Sequence, residues 1–187
     1  GINYSYSQSV LEVAAEVDRL IDQQTRPSSN NICSDEIYLR RLFLDITGKT
    51  PTLDDILVFN LETHPEKRTK VAEVLLQDPD YGANWGRFWR DVIYYRRSND
   101  QILLGASIAE DYFQDTLNTN TPWDQFATDL ITALGDIRED GRTALIAAQQ
   151  GRPEETVAEI SRIFLGIQIQ CAQCHDHPTD RWKQEQF

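Results

Sequence analysis

The residues with the clearest chemical potential are Cys171, Cys174 and His175, which stand in the sequence Cys-Ala-Gln-Cys-His. This C-x-x-C-H spacing is that of c-type haem attachment. Two cysteines three residues apart present their sulfurs on one turn, where each can form a thioether with a haem vinyl group. The adjacent imidazole of His175 can then lie under the iron as its proximal ligand. With 3 Cys and 3 His in 187 residues, the pattern rarely arises by chance.

The same cysteines also suit other sites. Cys171, Cys174 and His177 read as C-x-x-C-x-x-H, and tetrahedral zinc would need one further ligand, such as Cys33 or His64. The two thiols and the histidine could equally have purely structural roles. A thioredoxin-like redox pair is disfavoured because no β-α-β pattern surrounds the motif.

Composition restricts the class of protein. A hydrophobic content of 40% is sufficient for a core, and 30 acidic against 18 basic residues give a formal net charge of -12. This charge disfavours nucleic-acid binding, which depends on cationic side chains that displace counterions. Mean hydropathy is -0.50, and no apolar run is long enough to cross a bilayer, so we expect no membrane span in this segment.

The beginning of the chain, Gly1-Ile2-Asn3-Tyr4, lacks the basic and apolar regions of a signal peptide. A mature exported domain would look the same. Three cysteines are too few for a disulfide scaffold. Since covalent haem attachment requires export, we expect a periplasmic or otherwise exported protein.

Apolar residues recur at three- and four-residue spacing along most of the chain, which predicts helices rather than strands. The first predicted helix follows the cap candidate Ser7 and includes residues 10–21. Another begins at Pro65, and the others occupy residues 34–47, 53–61, 81–97, 107–117, 122–134 and 153–166. Glycine and proline stand singly, in positions that punctuate helices. The sequence therefore predicts an all-α protein: a single irregular multi-helix domain over residues 1–187, with the haem-attachment motif at its C-terminal end.

Several local features support these helices. Thr52 and Asp55 have the spacing of a capping box, Gly48 ends the helix before it, and residues 78–80 interrupt the chain before the aromatic segment. In that segment, five apolar side chains fall on one helical face, and such a stripe most often belongs to a core. They are Trp85, Phe88, Trp89, Val92 and Ile93.

Blocks along nearly the whole chain from Ser34 onward resemble the planctomycete cytochrome-c-like domain, a family of uncharacterised secreted bacterial proteins. The block around the motif comprises residues 165–178 with Asp180, Arg181 and Trp182. The opening block comprises residues 34–35, 39–48 and 51–52, the middle block comprises residues 67–68, 75–76, 79–82 and 85–91, and a later block comprises residues 122–126.

The resemblance implies a helical haem-binding module that belongs to a larger exported protein. Catalytic residues are not established for the family, so only Cys171, Cys174 and His175 carry over as site residues. The chain departs from the family pattern at Pro178-Thr179, where an aromatic residue or lysine is common. Further sequence is expected beyond Phe187, and it could contribute a ligand or a pocket wall.

The second axial position of the iron is open on sequence grounds. The chain has 0 Met, which excludes the His/Met pair of ordinary small cytochromes c. His177 lies two residues beyond His175, so a helical backbone would point it away, and it suits a bond to a propionate or to the backbone, or another metal. His64 is either an exposed capping residue or the distal ligand. Lys, Tyr, Cys33 or water would be the other choices.

Arg181 and Trp182 directly follow the motif and are candidates for a propionate contact and for packing at the haem edge. The sequence thus predicts a monohaem c-type module that transfers electrons to a redox partner or to other domains of its parent protein. The acidic surface would suit a basic partner. The alternatives are a zinc-binding or metal-free structural domain, and a haem enzyme with an open axial site.

Overall fold

The computed structural model describes residues 10–24, 32–94 and 105–187, and within these ranges all regular structure is helical. The α-helices are α1 (Val10–Gln24), α2 (Asp35–Thr47), α3 (Leu53–Leu61), α4 (Lys67–Leu75), α5 (Pro79–Ile93), α6 (Ala106–Asn118), α7 (Trp123–Thr132), α8 (Ala144–Ala148) and α9 (Pro153–Leu165). Short 3-10 helices occupy Gly141–Thr143, Gln170–Gln173 and Gln184–Gln186. The predicted all-α class is confirmed. Among the described helices, none combines the length and the apolar character that crossing a bilayer requires.

The chain divides into two compact units at the junction of Ser34 and Asp35. The first unit contains α1, whose apolar side chains recur on one face as the sequence predicts; Val13, Val17, Leu20 and Ile21 are each about half exposed. The cap candidate Ser7 lies outside the described residues. The expectation of one domain over residues 1–187 stays a prediction.

The core of the second unit lies where α5, α6, α7 and α8 meet. Its fully or nearly fully buried members are Ile93, Tyr94, Ala109, Phe113, Phe126, Leu130, Ala144, Leu145 and Ala148. The predicted aromatic stripe of α5 contributes only in part: Ile93 is buried and Trp89 packs against the core, but Phe88 is 51% exposed. Residue 97, the predicted end of this helix, lies outside the described residues.

Two glycines allow α5 to lie close to α6. Gly82 and Gly86, one turn apart on α5, are both buried. A Cβ atom at Gly82 would lie 2.5 Å from the backbone oxygen of Gln114 on α6, and one at Gly86 would lie 3.1 Å from the backbone nitrogen of the same residue. The expectation that glycines punctuate the helices is therefore wrong here, because these two occupy a helix interior to permit contact with its neighbour.

Gly82→Ala should lower the free energy of unfolding by about 1–3 kcal/mol, because the new methyl group must displace the backbone of α6. This loss should exceed the modest gain in helix propensity. Urea denaturation measures the effect. The control is Arg87→Ala on the exposed side of α5, where a change within about 0.5 kcal/mol is expected. Equal stability of the Gly82 variant and the wild type would contradict the close contact.

Ionic and aromatic contacts hold α2, α3 and α4 together. The carboxylate of Asp35, at the start of α2, lies 2.6 Å from the Lys67 ammonium and 2.7 Å from the Arg68 guanidinium of α4. These hydrogen bonds, led by that of Lys67, lower the pKa of Asp35. The ring of Tyr38 stacks on Phe59 of α3, and its hydroxyl donates to the carbonyl of Arg68. The opening and middle sequence blocks therefore meet in space.

The helix boundaries agree with several sequence signals. Thr52 and Asp55 form the predicted capping box, each side chain bonding the backbone N–H of the other residue. Gly48 follows α2 with φ +69°, a conformation that glycine adopts without strain. Asp78 both follows the end of α4 and caps α5, since its side chain accepts the N–H of Asp80.

Three predicted boundaries are wrong. Pro65 was expected at the first position of a helix, but α4 begins at Lys67, after a turn in which the Lys67 N–H donates to the carbonyl of His64. Helix α5 begins at Pro79, inside the predicted interruption, and α7 ends at Thr132, two residues before the predicted end. The helix α8 and the 3-10 turn before it, Gly141–Thr143, were not predicted.

The hydroxyl of Tyr94 is a buried polar group that costs stability. Tyr94 is 7% exposed, and its hydroxyl has no hydrogen-bond partner among the described residues. Burial raises the pKa of Tyr94 to about 12. A buried hydroxyl without a partner destabilises a fold, because it loses its bonds to water and gains none in return.

Tyr94→Phe should therefore raise the free energy of unfolding at neutral pH by about 1 kcal/mol. The wild type should also lose stability as pH rises from about 10, where the unfolded tyrosine ionises, to about 12, where the folded one does. The Phe variant has no hydroxyl at this position to ionise, so it should not show this part of the alkaline loss of stability. Urea unfolding at pH 7 and across the alkaline range measures both effects, and a less stable Phe variant would show that the hydroxyl is satisfied.

Candidate functional site

Helix α9 leads directly into the C-x-x-C-H motif. The guanidinium of Arg162 on α9 donates to the carbonyl of Val92 on α5 at 3.0 Å, and the ring of Phe164 lies 6.0 Å from that of Trp123 on α7. Gly166 then ends the helix with φ +67°, and the N–H of Ile167 donates to the carbonyl of Ser161. The helix is thus fixed to the core, and its left-handed end turns the chain toward the motif.

The two cysteines of the motif flank a buried alanine in a 3-10 turn. The turn spans Gln170–Gln173, and Cys174 follows as its C-cap. Positions i and i+3 eclipse in a 3-10 helix, and Cys171 and Cys174 have this spacing, with Cys174 one residue beyond the helix. Both cysteines are exposed and free. Ala172 is 1% exposed and its N–H donates to the carbonyl of Ile169 at 2.8 Å, so the turn is anchored between the two thiols.

The imidazole of His175 has a defined protonation pattern. Its Nδ1 lies 2.6 Å from the backbone oxygen of Asp176. A carbonyl oxygen only accepts hydrogen bonds, so Nδ1 must carry the proton, and in the neutral ring Nε2 keeps its lone pair. An imidazole whose Nδ1–H is held by a carbonyl is typical of histidines that ligate a metal through Nε2. His175 is exposed, so this atom is accessible.

His177 has the opposite arrangement. Its Nδ1 accepts the backbone N–H of Thr179 at 3.3 Å and that of Asp180 at 3.0 Å, which places the proton of the neutral ring on Nε2. The backbone N–H of His177 donates to the carbonyl of Trp182 at 2.8 Å. His177 therefore closes the loop over residues 177–182. It would have to give up two hydrogen bonds to ligate a metal through Nδ1.

The zinc arrangement considered above is not assembled in the described residues. Within residues 10–24, 32–94 and 105–187, no three His, Cys, Asp or Glu side chains come together as a metal site. His64 is exposed in the turn before α4, where its Nδ1 accepts the N–H of Glu66 at 3.2 Å. Its exposure agrees with the first of the two interpretations, but His64 does not cap α4, because Glu66 is the N-cap residue and no side chain caps this helix.

A carboxylate connects the motif to the C-terminal 3-10 turn. Asp176 lies 2.9 Å from the ammonium of Lys183 and accepts the N–H of Gln184 at 3.1 Å. The Lys183 ammonium, followed by the Gln184 N–H, lowers the pKa of Asp176. Asp176 was not among the predicted site residues, although it directly follows the Cys-His pair of the motif.

The loop closed by His177 forms one wall of a pocket of about 650 Å³ beside the motif. Its lining residues are Gly166, Ile167, Gln168, His177, Thr179, Asp180, Arg181 and Trp182. A smaller pocket of about 200 Å³ shares Ile167 and Trp182 and also includes Ala172. Three of the predicted cofactor-binding residues, His177, Arg181 and Trp182, therefore lie around one pocket, whereas Cys171, Cys174 and His175 belong to the adjacent turn. Gly166 and Ile167 were not predicted as pocket residues.

Together these features define the class of protein: an all-α fold with an exposed C-x-x-C-H turn beside a pocket. The chain belongs to the PSCyt2 family, described as a protein of unknown function (DUF1549), whose family model matches residues 16–187. The cytochrome-like family name agrees with the resemblance seen in the sequence blocks. No curated protein and no solved structure matches the chain significantly.

The exposure of the motif cysteines gives a direct test of this geometry. In haem-free protein under native conditions, iodoacetamide should alkylate Cys171 and Cys174, because both side chains are exposed, and should modify the half-buried Cys33 more slowly. Peptide mass spectrometry over a time course measures the three rates. Modification of the motif cysteines only after denaturant is added would contradict the exposed turn.

Proposed function

We propose that this chain is a c-type cytochrome module that carries one covalent haem through Cys171, Cys174 and His175. The observation that carries the proposal is the turn itself: two free, exposed cysteines three residues apart in and just after a 3-10 helix, followed at once by a histidine whose Nδ1 is held by a carbonyl. The family name is consistent with this function.

The residues present fit a haem of the c type. Cys171 and Cys174 would hold it by thioether bonds, and His175 would be the proximal ligand through Nε2. When bound, haem supplies a one-electron iron couple whose potential depends on axial ligands, hydrogen bonds and burial. The chain's own contribution is to hold the ligand, because the carbonyl of Asp176 fixes the orientation of the His175 ring.

A second iron ligand from the protein would favour an electron carrier over a haem that binds small ligands. The 187 residues of this chain contain 0 Met, so they would not supply methionine as that ligand. His64, the predicted distal ligand, would have to give up the hydrogen bond that its Nδ1 accepts from Glu66. Ligation by His64 stays a prediction, which an absorption spectrum of the haem-loaded protein tests, since a strong second ligand gives a six-coordinate, low-spin iron.

The setting that we propose is an exported one. Haem maturation of the c type takes place after export, so the chain would act in the periplasm or an equivalent compartment as part of a larger protein. Electrons would pass to other domains of that protein or to a separate redox partner. A net charge of -12 favours a partner with a basic docking surface, because complementary charges increase the rate of encounter.

The test is production of the full chain with an export signal, in cells that contain a c-type maturation system. We expect haem that stays with the polypeptide on a denaturing gel. Cys171→Ser and Cys174→Ser should each weaken the haem stain, and the double variant should abolish it. The matched control Cys33→Ser should retain it, because Cys33 lies outside the motif.

A wild-type chain without covalent haem would contradict the proposal, provided that a known c-type cytochrome is matured in the same cells. Elemental analysis of the same sample gives a second readout. Stoichiometric zinc that is lost in Cys171→Ser would instead support a zinc-binding structural domain. Peroxide turnover with a five-coordinate spectrum would support a haem enzyme.

A further inference from the structure

The larger pocket beside the motif contains a cation without a carboxylate partner. Within residues 10–24, 32–94 and 105–187, the Arg181 guanidinium forms no ion pair with a carboxylate, although the chain has 30 acidic residues against 18 basic ones. The guanidinium carbon lies 5.0 Å from the centre of the Trp182 ring. The side chain is therefore positioned over an indole, and its hydrogen-bond donors remain available.

The loop backbone determines where this side chain lies. The carboxylate of Asp180 accepts the backbone N–H of Arg181 at 2.7 Å. The His177 ring accepts the backbone N–H groups of Thr179 and Asp180. The backbone N–H of His177 donates to the carbonyl of Trp182. These bonds place Arg181 and Trp182 at the edge of the pocket of about 650 Å³, a volume within the range of small-molecule sites.

The pocket adjoins the attachment turn. Ile167 and Trp182 line both this pocket and the smaller one of about 200 Å³, and the smaller pocket reaches Ala172, which stands between the two motif cysteines. A continuous surface thus extends from the turn, past the Trp182 ring, to the Arg181 guanidinium. A planar group held at the cysteines would have an aromatic side chain and then a cation next to it.

We propose that this pocket receives the carboxylate-bearing edge of the haem, with Arg181 paired to a propionate and Trp182 packed against the macrocycle. The inference rests on the proposed function for the identity of the bound group. A planar guanidinium can donate two parallel hydrogen bonds to a carboxylate, which makes such pairs strong and geometrically specific. In a chain of net charge -12, a nearby cation would offset the repulsion between the acidic protein and an anionic cofactor edge.

The test separates non-covalent binding in the pocket from covalent attachment. The full chain is produced without a maturation system and titrated with haemin and with haemin dimethyl ester, whose propionates are uncharged. We expect haemin to bind about tenfold more tightly than the ester, the size of effect expected of one charge-assisted pair. Arg181→Gln should remove this difference, and Arg181→Lys should retain part of it. Absorbance of the bound haem measures each affinity.

The matched control is Arg138→Gln, which removes one positive charge at an exposed arginine paired with Asp136, outside the pocket lining. It should leave both affinities unchanged. Equal affinities for haemin and its ester, or equal effects of the two arginine variants, would overturn the inference. So would a chain that binds neither compound.

The outcomes also distinguish this inference from the proposed function. Covalent haem in matured protein, combined with no effect of Arg181→Gln in the titration, would leave the cytochrome assignment and remove the propionate site. Arg181-dependent haemin binding by a chain that never acquires covalent haem would support the propionate site and contradict the cytochrome assignment.

Discussion

The proposed haem attachment depends on two cysteines three residues apart, and a short 3-10 turn with its C-cap residue holds both of them exposed at the surface. The turn is held from within by Ala172, which is buried between the two exposed cysteines. It is held from outside by α9, which Arg162 ties to α5 and Phe164 to α7. The tight contact of α5 with α6 at Gly82 and Gly86 in turn fixes the core on which α9 rests.

The residues that follow the motif cysteines orient His175 and close the C-terminal turn. Asp176 contributes its carbonyl to His175 and its carboxylate to Lys183 and the Gln184 N–H, so a single residue both orients the proposed ligand and closes the C-terminal turn. His177 is occupied with backbone groups, which brings Trp182 back toward the motif. The two histidines are two residues apart and have opposite tautomers, since Nδ1 is a donor in one and an acceptor in the other.

Features that depend on residues close together in the sequence could be predicted, whereas those that depend on distant parts of the chain could not. The capping box of Thr52 and Asp55 and the left-handed glycine after α2 are local, and both were predicted correctly. Helix α8 was missed because its five apolar residues have no polar face to reveal a helical period. The role of Gly82 and Gly86 depends on a neighbouring helix, which sequence periodicity does not show. The thiol spacing is local too, whereas the pocket depends on the hydrogen-bonded loop over residues 177–182 lying beside Ile167, which sequence spacing does not show.

The most direct test of the central claim is the intact mass of the denatured full chain after maturation in an export-competent, haem-installing host. The account predicts a mass increased by that of one haem in the wild type, and an unmodified mass when both motif cysteines are replaced by serine. A wild-type chain of unmodified mass, from cells that load a reference cytochrome, would contradict it.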